Sequence, residues 1–402
     1  MRTALAAAFL ALAGASSAAM ATGDTVRLEV VLMRHGVRSP TKPAATYADY
    51  ANAAWPEWPV APGMLTDHGR EGMRGIGGRL RKLFVADGAI GAGCPDASSV
   101  AVIGDSTARN RESSVAVADG LAPGCNLGFL ATENASNNAL FHYRKDDDDD
   151  AGSATAEPPA ALADLQSVLL GCHADSCADI ATRDGKRLLP ADADKAMKLA
   201  GTLSENLMLS YVEGMPMASV AFGRGDVALL GRLITLHNVQ FAATKKAMPA
   251  ASLAASNVVA HMAATFDVAL GKQPSVDPLT ASGKGVVVLV GHDTNLANVS
   301  GVLGLDWHDA HRPDDYPPGG AIVLSLVNHK GHDVIRVRSL MPTMDQLRAN
   351  RFDDVRAVPV RVKGCHALGE CTLAEFAAVT RKGIDTSRVD EHLPAMTVQH
   401  TP

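Results

Sequence analysis

Three short runs of apolar residues each stop at a polar turn. The runs cover residues 26–33, 99–104 and 286–290, and the turns after them begin at Arg34, Asp105 and Gly291. Bounded runs of this length that are rich in valine are typical of strands buried on both faces. Helical patterns lie at residues 66–85, 106–121 and 293–303. This alternation predicts an α/β fold in which helices flank a mostly parallel sheet.

Residues suited to chemistry are concentrated where the predicted strands end. Arg34 and His35 follow the first run, Arg109 follows the second, and His292 and Asp293 follow the third. Ligands of open α/β sheets bind beyond the carboxyl ends of the strands. We therefore expect these residues, although distant in sequence, to converge in one crevice.

The middle of the chain has a different pattern. Consecutive aspartates at 146–150, followed by AGSATAEPPA, predict a loop over residues 146–160. A solvated loop is the simplest interpretation, and a calcium site is the alternative, although no EF-hand spacing surrounds the run. Mainly helical patterns follow at 161–247. These patterns predict an α/β core and a smaller, mostly helical inserted domain, with the core at 22–140 and 250–402 and the insert at 141–249.

The N-terminus resembles an export signal. Arg2 precedes the apolar stretch Leu5–Leu12, and Ala19–Ala21 fits an A-x-A cleavage site. These features predict a signal peptide at 1–21 and a periplasmic or secreted protein, and the alternative is an apolar helix of the folded domain. No later segment has about 18 uninterrupted apolar residues, so we expect no membrane anchor.

The cysteine count and the net charge narrow the class of protein. Six cysteines in an exported chain indicate disulfides, and fifteen pairings are possible. Free, buried thiols are the alternative, and no C-x-x-C spacing indicates a metal site. A net charge of −6 without a long basic run argues against a nucleic-acid partner. Proximity in sequence favours the pairs Cys94–Cys125, Cys172–Cys177 and Cys365–Cys371.

The stretch Arg34-His35-Gly36-Val37-Arg38 carries the most specific chemical signal. Arginine presents planar, paired donors that match phosphate oxygens, and histidine can act as a nucleophile. Phosphoryl transfer depends mainly on positioning and charge neutralisation, which two guanidiniums beside one imidazole supply. From these residues alone, a surface turn with incidental charges remains an alternative.

The stretch Gly291-His292-Asp293-Thr294-Asn295 carries the second signal. Asp293 could give a proton to a leaving oxygen, and His292 could donate a hydrogen bond to a phosphate. The alternative is an aspartate that caps a helix, beside a histidine with an ordinary structural role.

Together, RHGVRSPT and GHDTNLAN resemble the histidine acid phosphatase family, in particular its bacterial periplasmic phytase and glucose-1-phosphatase group. The segments LTDHG, WPEWPV, LITLHNVQF and PPGG also look like family segments, and the resemblance extends from about Leu28 to Cys371. It implies a fold of the phosphoglycerate-mutase type with a smaller, mostly helical domain, and no metal or cofactor.

The resemblance also implies a role for each matching residue. His35 would be the nucleophile, and Asp293 would protonate the leaving alcohol and then activate water. Arg109 is preferred to Arg111 as the third phosphate-binding arginine, because it precedes Cys125 by the spacing of the family. The residues that would hold the transferred phosphate are Arg34, Arg38, Arg109 and His292.

The substrate implied is a small phosphate monoester, and phytate is the first expectation. Thr41 and Lys42 lie where similar phytases contact the other phosphates of the substrate. The segment Met215–Ala218 lacks the acidic residue expected in a close phytase relative. Glucose 1-phosphate or a broad range of monoesters is therefore an alternative. A phosphomutase and a binding protein without activity are less favoured, because of the export signal and the presence of both His35 and Asp293.

Overall fold

The computed structural model describes residues 24–96, 98–133, 138–142 and 160–401. The signal peptide predicted at 1–21 and nearly all of the acidic loop predicted at 146–160 lie outside these residues. The strands are β1 (Thr25–Arg34), β2 (Val100–Gly104), β3 (Phe129–Ala131), β4 (Gly285–Gly291), β5 (Leu305–Asp306), β6 (Ala321–His329), β7 (His332–Leu340), β8 (Ala357–Pro359), β9 (Arg361–Val362), β10 (Glu370–Thr372) and β11 (Thr397–Gln399). The helices are α1 (Asp67–Ala86), α2 (Ala108–Leu121), α3 (Ala161–Leu170), α4 (Cys177–Asp184), α5 (Ala193–Val212), α6 (Val227–Phe241), α7 (Ala250–Ala269), α8 (Asp293–Leu303), α9 (Met344–Arg348) and α10 (Leu373–Gly383).

Nine of the described strands form one sheet in the order β10-β7-β6-β1-β4-β2-β3-β11, with β8 paired to β7. Strands β1, β4, β2 and β3 run parallel, whereas β6, β7, β8, β10 and β11 form antiparallel pairs. The predicted α/β architecture is confirmed, but the sheet is mixed rather than mostly parallel. A buried strand has the same apolar pattern in either direction, and the connection decides its orientation. The short turn at 330–331 between β6 and β7 allows only an antiparallel pair.

The carboxyl ends of β1, β2 and β4 meet at one edge of the sheet. Arg34 lies beside Gly291 in the parallel register of β1 and β4. The next backbone amide, that of His35, donates to the carbonyl oxygen of Gly291 at 2.9 Å. The amide of Asp105 donates to the carbonyl oxygen of Val290 at 3.0 Å. Residues more than 180 positions apart are thereby fixed side by side.

Helices α1 and α2 pack closely because two glycines face each other. A Cβ on Gly77 would lie 2.5 Å from the carbonyl oxygen of Val117, and one on Gly120 would lie 2.1 Å from that of Arg74. The side chain of Thr66 caps α1 by accepting from the amide of Gly69, as the pattern at 66–85 predicts. This packing fixes the position of α2 against α1, and the first turn of α2 carries Arg109.

Helices α3 to α6 lie where the sequence predicts mainly helical structure. Helix α5 packs against α3, α6 and the short helix α9. All of its residues from Leu203 to Val212 are buried, including Glu205. This helix therefore brings a carboxylate towards the edge of the sheet where His35 lies.

A buried ionic cluster lies on the sheet away from that edge. The carboxylate of Glu29, on β1, accepts from Ser325 Oγ at 2.8 Å and from Arg338 Nη2 at 3.2 Å. The same Nη2 lies 2.6 Å from the carboxylate of Asp87. Burial raises the pKa of Glu29 to about 8, in opposition to the charge of Arg338. One guanidinium thus faces two carboxylates, and the raised pKa of Glu29 favours its protonated form at neutral pH.

The three predicted disulfides are confirmed. Cys94–Cys125, Cys172–Cys177 and Cys365–Cys371 are bonded, and the described residues contain no free cysteine. Disulfides persist in oxidising compartments, so these bridges fit an extracytoplasmic protein. Within the described ranges, no helix combines the length and the apolar character needed to cross a membrane.

Candidate active site

His35 lies directly after β1, and its side chain is only 1% exposed. Its Nδ1 lies 2.9 Å from the carbonyl oxygen of Gly36. Because a carbonyl oxygen only accepts, Nδ1 carries the proton and Nε2 has a free lone pair. Burial, followed by the charges of Arg109 and Arg34, holds the pKa of His35 well below its usual range. The imidazole is therefore neutral, oriented and able to act as a nucleophile.

Gly36 allows the chain to turn at this point. A Cβ there would lie 2.7 Å from the carbonyl oxygen of Gly69 and 2.7 Å from Met73 Cγ. The amide of Gly36 donates to Ser113 Oγ at 3.1 Å, which ties the turn to α2. The position after His35 therefore has no room for a side chain.

Two guanidiniums flank this histidine. Arg34 is fully buried, and its Nη2 lies 2.9 Å from Asp293 Oδ2 and also contacts the carboxylate of Glu205. Arg38 Nη2 donates to both carboxylate oxygens of Glu205 at 3.2 Å. One carboxylate thus bridges both arginines, whose planar donors match carboxylate and phosphate oxygens alike.

The sequence motifs did not predict that Glu205 would lie in this cluster. Burial raises its pKa, but the charges of Arg38 and Arg34 outweigh burial, and the pKa is lowered. The available signal was a single acidic residue within the apolar segment LSENLMLS of α5. A buried charge requires a partner, so this glutamate could have been matched to the arginines of the motif.

His292 and Arg109 complete the cluster on the side of α2. Arg109 Nη2 lies 3.2 Å from His292 Nδ1, and the rings of His292 and His35 have centroids 5.4 Å apart. The Nε2 of His292 lies 2.9 Å from Asp105 Oδ2. Arg111 instead contacts the carbonyl oxygen of Thr132 and the ring of Phe129. The structure therefore places Arg109, rather than Arg111, beside His292.

Asp293 begins α8, and its Oδ1 accepts from the amide of Thr294 at 2.8 Å. Burial raises the pKa of Asp293, but Arg34 and then His237 outweigh burial, so the pKa lies well below its usual value. The carboxylate is therefore ionised while Arg34 faces it. A phosphate dianion at Arg34 would compete for that charge and favour protonation of Asp293.

Thr41 and Lys42 lie at the rim. A Cβ on Gly63 would lie 3.8 Å from Thr41 Cα and 3.9 Å from Arg109 Nη1, so Thr41 and Arg109 both lie close to Gly63. Lys42 lines an adjoining cleft of about 330 Å³. The same cleft is lined by Ser39, Tyr47, Trp55, Trp58 and Asn206. This cleft extends the site beyond the space for one phosphate.

Known proteins are similar to this chain over most of its length. The phytase AppA of Escherichia coli is 30% identical over 403 residues, which cover 88% of this chain and 90% of that protein. The chain belongs to the histidine acid phosphatase family. The resemblance drawn from the two motifs is thereby confirmed. As a member of this family's phytase and glucose-1-phosphatase group, the protein is a phosphomonoester hydrolase.

Further members of the histidine acid phosphatase family support this assignment. The glucose-1-phosphatase of Salmonella typhimurium is 25% identical, over 91% of this chain and 96% of that protein. The Hafnia alvei phytase in complex with myo-inositol hexakis sulphate superposes with a TM-score of 0.78 at 26% identity, over 92% of this chain and 100% of that one. No profile of a known protein family matches the sequence.

Proposed function

We propose that the enzyme transfers the phosphoryl group of its substrate first to Nε2 of His35 and then to water. The observation that carries this proposal is the environment of His35, whose neutral ring lies among the guanidiniums of Arg34, Arg38 and Arg109. The guanidiniums would neutralise the negative charge of a bound phosphate, which would otherwise repel the nucleophile.

In the first step, the lone pair of His35 Nε2 attacks phosphorus, and the bond from phosphorus to the ester oxygen breaks. Arg34, Arg38, Arg109 and His292 bind the phosphoryl oxygens. Asp293, protonated once the phosphate has engaged Arg34, gives its proton to the departing oxygen and yields the alcohol. The products are the free alcohol and a phosphohistidine.

In the second step, the Asp293 carboxylate accepts a proton from water as the water oxygen attacks phosphorus. The bond between Nε2 and phosphorus breaks, and inorganic phosphate leaves. The lone pair returns to a ring that still donates from Nδ1 to Gly36, so the histidine is ready for another cycle. These steps draw on no metal or cofactor, because arginines supply the positive charge.

Phytate is the substrate that we propose. Each phosphate of a polyphosphorylated ring brings about −1.5 to −2 charges, which requires cations beyond those that hold the reacting group. Lys42 lines the cleft together with Ser39, and Thr41 and Arg109 both lie close to Gly63. Relatives named as phytases support this choice, and relatives named as glucose-1-phosphatases make glucose 1-phosphate the second candidate.

The compartment that we propose is the periplasm or the exterior. The predicted signal peptide at 1–21 and the three disulfides support export.

Two measurements test the proposal. Rapid acid-free quenching with substrate labelled in its phosphate should trap the label on the peptide that contains His35, and label on another residue would refute the intermediate. Phosphate release should be measured with phytate, glucose 1-phosphate and p-nitrophenyl phosphate at equal concentration. Release from phytate should be faster than release from glucose 1-phosphate. The reverse order would refute the substrate while leaving the phosphatase activity intact.

A further inference from the structure

Asp105 brings two histidines together behind the phosphate site. Its Oδ2 lies 2.9 Å from His292 Nε2 and 3.4 Å from His142 Nε2. The side chain of Asp105 is 0% exposed, whereas that of His142 is 36% exposed. One nitrogen from each histidine and one oxygen of Asp105 all lie within 4.8 Å of one another. The cluster is therefore compact, and it opens to solvent on the side of His142.

A fourth polar group enters the same cluster. Asn110 Nδ2 lies 2.9 Å from His292 Nε2 and 3.1 Å from Asp105 Oδ2. Two oxygens there, Oδ1 of Asn110 and Oδ1 of Asp105, are buried and have no hydrogen-bond partner among the described residues. Rotating the amide of Asn110 by half a turn exchanges its nitrogen and oxygen and presents an oxygen to the cluster. Buried oxygens without donors are suited to a cation.

We propose that His142, His292, Asp105 and Asn110 form a binding site for a divalent cation of the zinc class. Two imidazole nitrogens with carboxylate oxygen are a donor set that zinc commonly takes in proteins. Zinc bonds of about 2.0–2.2 Å place neighbouring ligand atoms of a tetrahedron roughly 3.3–3.6 Å apart. The present separations of 2.9 and 3.4 Å need only small adjustments to reach that geometry.

The charges around the cluster permit a cation. Glu205 pairs with Arg34 and Arg38, and the carboxylates of Asp293 and Asp105 place negative charge near Arg109. The described residues include a second compact trio, Glu205, His237 and Asp293. There, both carboxylates already contact Arg34, so a cation would have to displace a buried guanidinium. In the first cluster, the carboxylate of Asp105 faces the imidazole nitrogens of His142 and His292.

This cation site goes beyond the proposed function, although it shares His292 with the phosphate site. Nδ1 of His292 faces Arg109 on the phosphate side, whereas the cation would take Nε2, which faces Asp105. His142 has no part in the hydrolytic steps. The presence of zinc at this site can therefore be tested without reference to the phosphohistidine.

The test is isothermal titration of ZnCl₂ into the purified full-length enzyme, first freed of metal, in a buffer near pH 7 without phosphate. The parent protein should bind one equivalent of zinc, and His142→Ala should bind zinc at least tenfold more weakly. His366→Ala is the matched control, because His366 is an exposed histidine that also pairs with a carboxylate, that of Glu375. This control should bind zinc like the parent.

Cobalt(II) adds a direct measurement of the coordination geometry in the folded parent protein. Tetrahedral coordination by nitrogen and oxygen should give strong visible absorption bands in the parent and in His366→Ala, and these bands should be lost in His142→Ala. Equal zinc affinity in all three proteins, or no zinc binding by the parent, would overturn the site. Neither of these results would bear on the phosphatase activity measured without zinc. Failure of the zinc site would therefore leave the proposed function intact.

Discussion

Nη2 of Arg34 lies 2.9 Å from Oδ2 of Asp293, so the expected phosphate ligand also holds the expected proton donor. The ion pair keeps Asp293 ionised in the free enzyme, since the charge of Arg34 outweighs the effect of burial on the pKa of Asp293. Binding of a phosphate would weaken this pair and make protonation easier. The acid would then be formed where a substrate is present.

Asp293→Asn should slow alkyl phosphates by roughly 10² to 10⁴-fold, because an alkoxide needs a proton to leave. The loss with p-nitrophenyl phosphate should be much smaller, because its phenolate leaves without one. Steady-state kcat for both substrates is the measurement. Asp67→Asn, which changes an exposed carboxylate at the start of α1, is the control. Equal slowing of both substrates would contradict the role of a proton donor.

His35→Ala should lose nearly all turnover and still bind phosphate, because the arginines stay in place. Stopped assays with excess enzyme measure the first property, and titration with inorganic phosphate measures the second. His366→Ala should keep both properties of the parent. Activity near that of the parent in His35→Ala would end the phosphohistidine mechanism.

Lys42→Ala should raise KM for phytate several-fold and leave KM for p-nitrophenyl phosphate nearly unchanged. The small ester has no second phosphate for the ammonium of Lys42 to contact. Lys272→Ala removes a surface lysine that pairs with Asp267, and it should change neither constant. A similar rise in KM for both esters would show that Lys42 does not contact the distal phosphates.

Glu29→Gln tests the buried ionic cluster through the pH dependence of stability. The pKa of Glu29 is about 8 in the fold, against 4.5 for an ordinary glutamate. Between those values the folded state holds a proton that the unfolded state has released, so the free energy of unfolding decreases as pH rises. This contribution is complete below about pH 4.5 and is lost by about pH 8, with a slope of at most about 1.4 kcal/mol per pH unit.

Urea unfolding of the parent and of Glu29→Gln at several pH values measures this effect. The glutamine stays neutral, so the stability of the parent relative to the variant should decrease between about pH 4.5 and 8. A constant difference between the two proteins over that range would show that Glu29 does not titrate there.

Loss of the disulfides should destabilise the protein unequally. The bridge Cys94–Cys125 spans 31 residues and Cys172–Cys177 spans 5. Loop-closure entropy predicts losses of about 4 and about 2 kcal/mol when each pair is changed to serine. Chemical denaturation of the two double variants measures both values. A larger loss from the shorter loop would contradict the entropic explanation.

Much of the site could be predicted because the motifs lie next to strand ends. Arg34, His35, His292 and Asp293 directly follow buried apolar runs, and parallel pairing of β1 with β4 brings those ends together. The residues of each motif are adjacent in the chain, so a single sequence is enough to recognise the motif. Thr66 is a similar case, since an N-cap depends on its own helix.

The remainder depends on contacts that no local pattern encodes. Glu205 reaches the arginines from α5, and His142 reaches Asp105 from the segment between β3 and α3. The antiparallel orientation of β6 and β7 could not be predicted for a related reason. A largely buried strand has a similar sequence pattern in either direction. Only the length of their connection distinguishes the two arrangements.

The position of β1 in the sheet determines when the enzyme can assemble. This strand, which leads into His35, is hydrogen-bonded on its two sides to β4 and β6, and neither begins before residue 285. A growing or translocating chain therefore exposes both edges of β1 until about three quarters of the protein has emerged. Contacts over such separations make folding slow, and they leave an open apolar strand that can pair with other chains. A holding chaperone during synthesis would benefit this protein more than one whose central strands are neighbours in sequence.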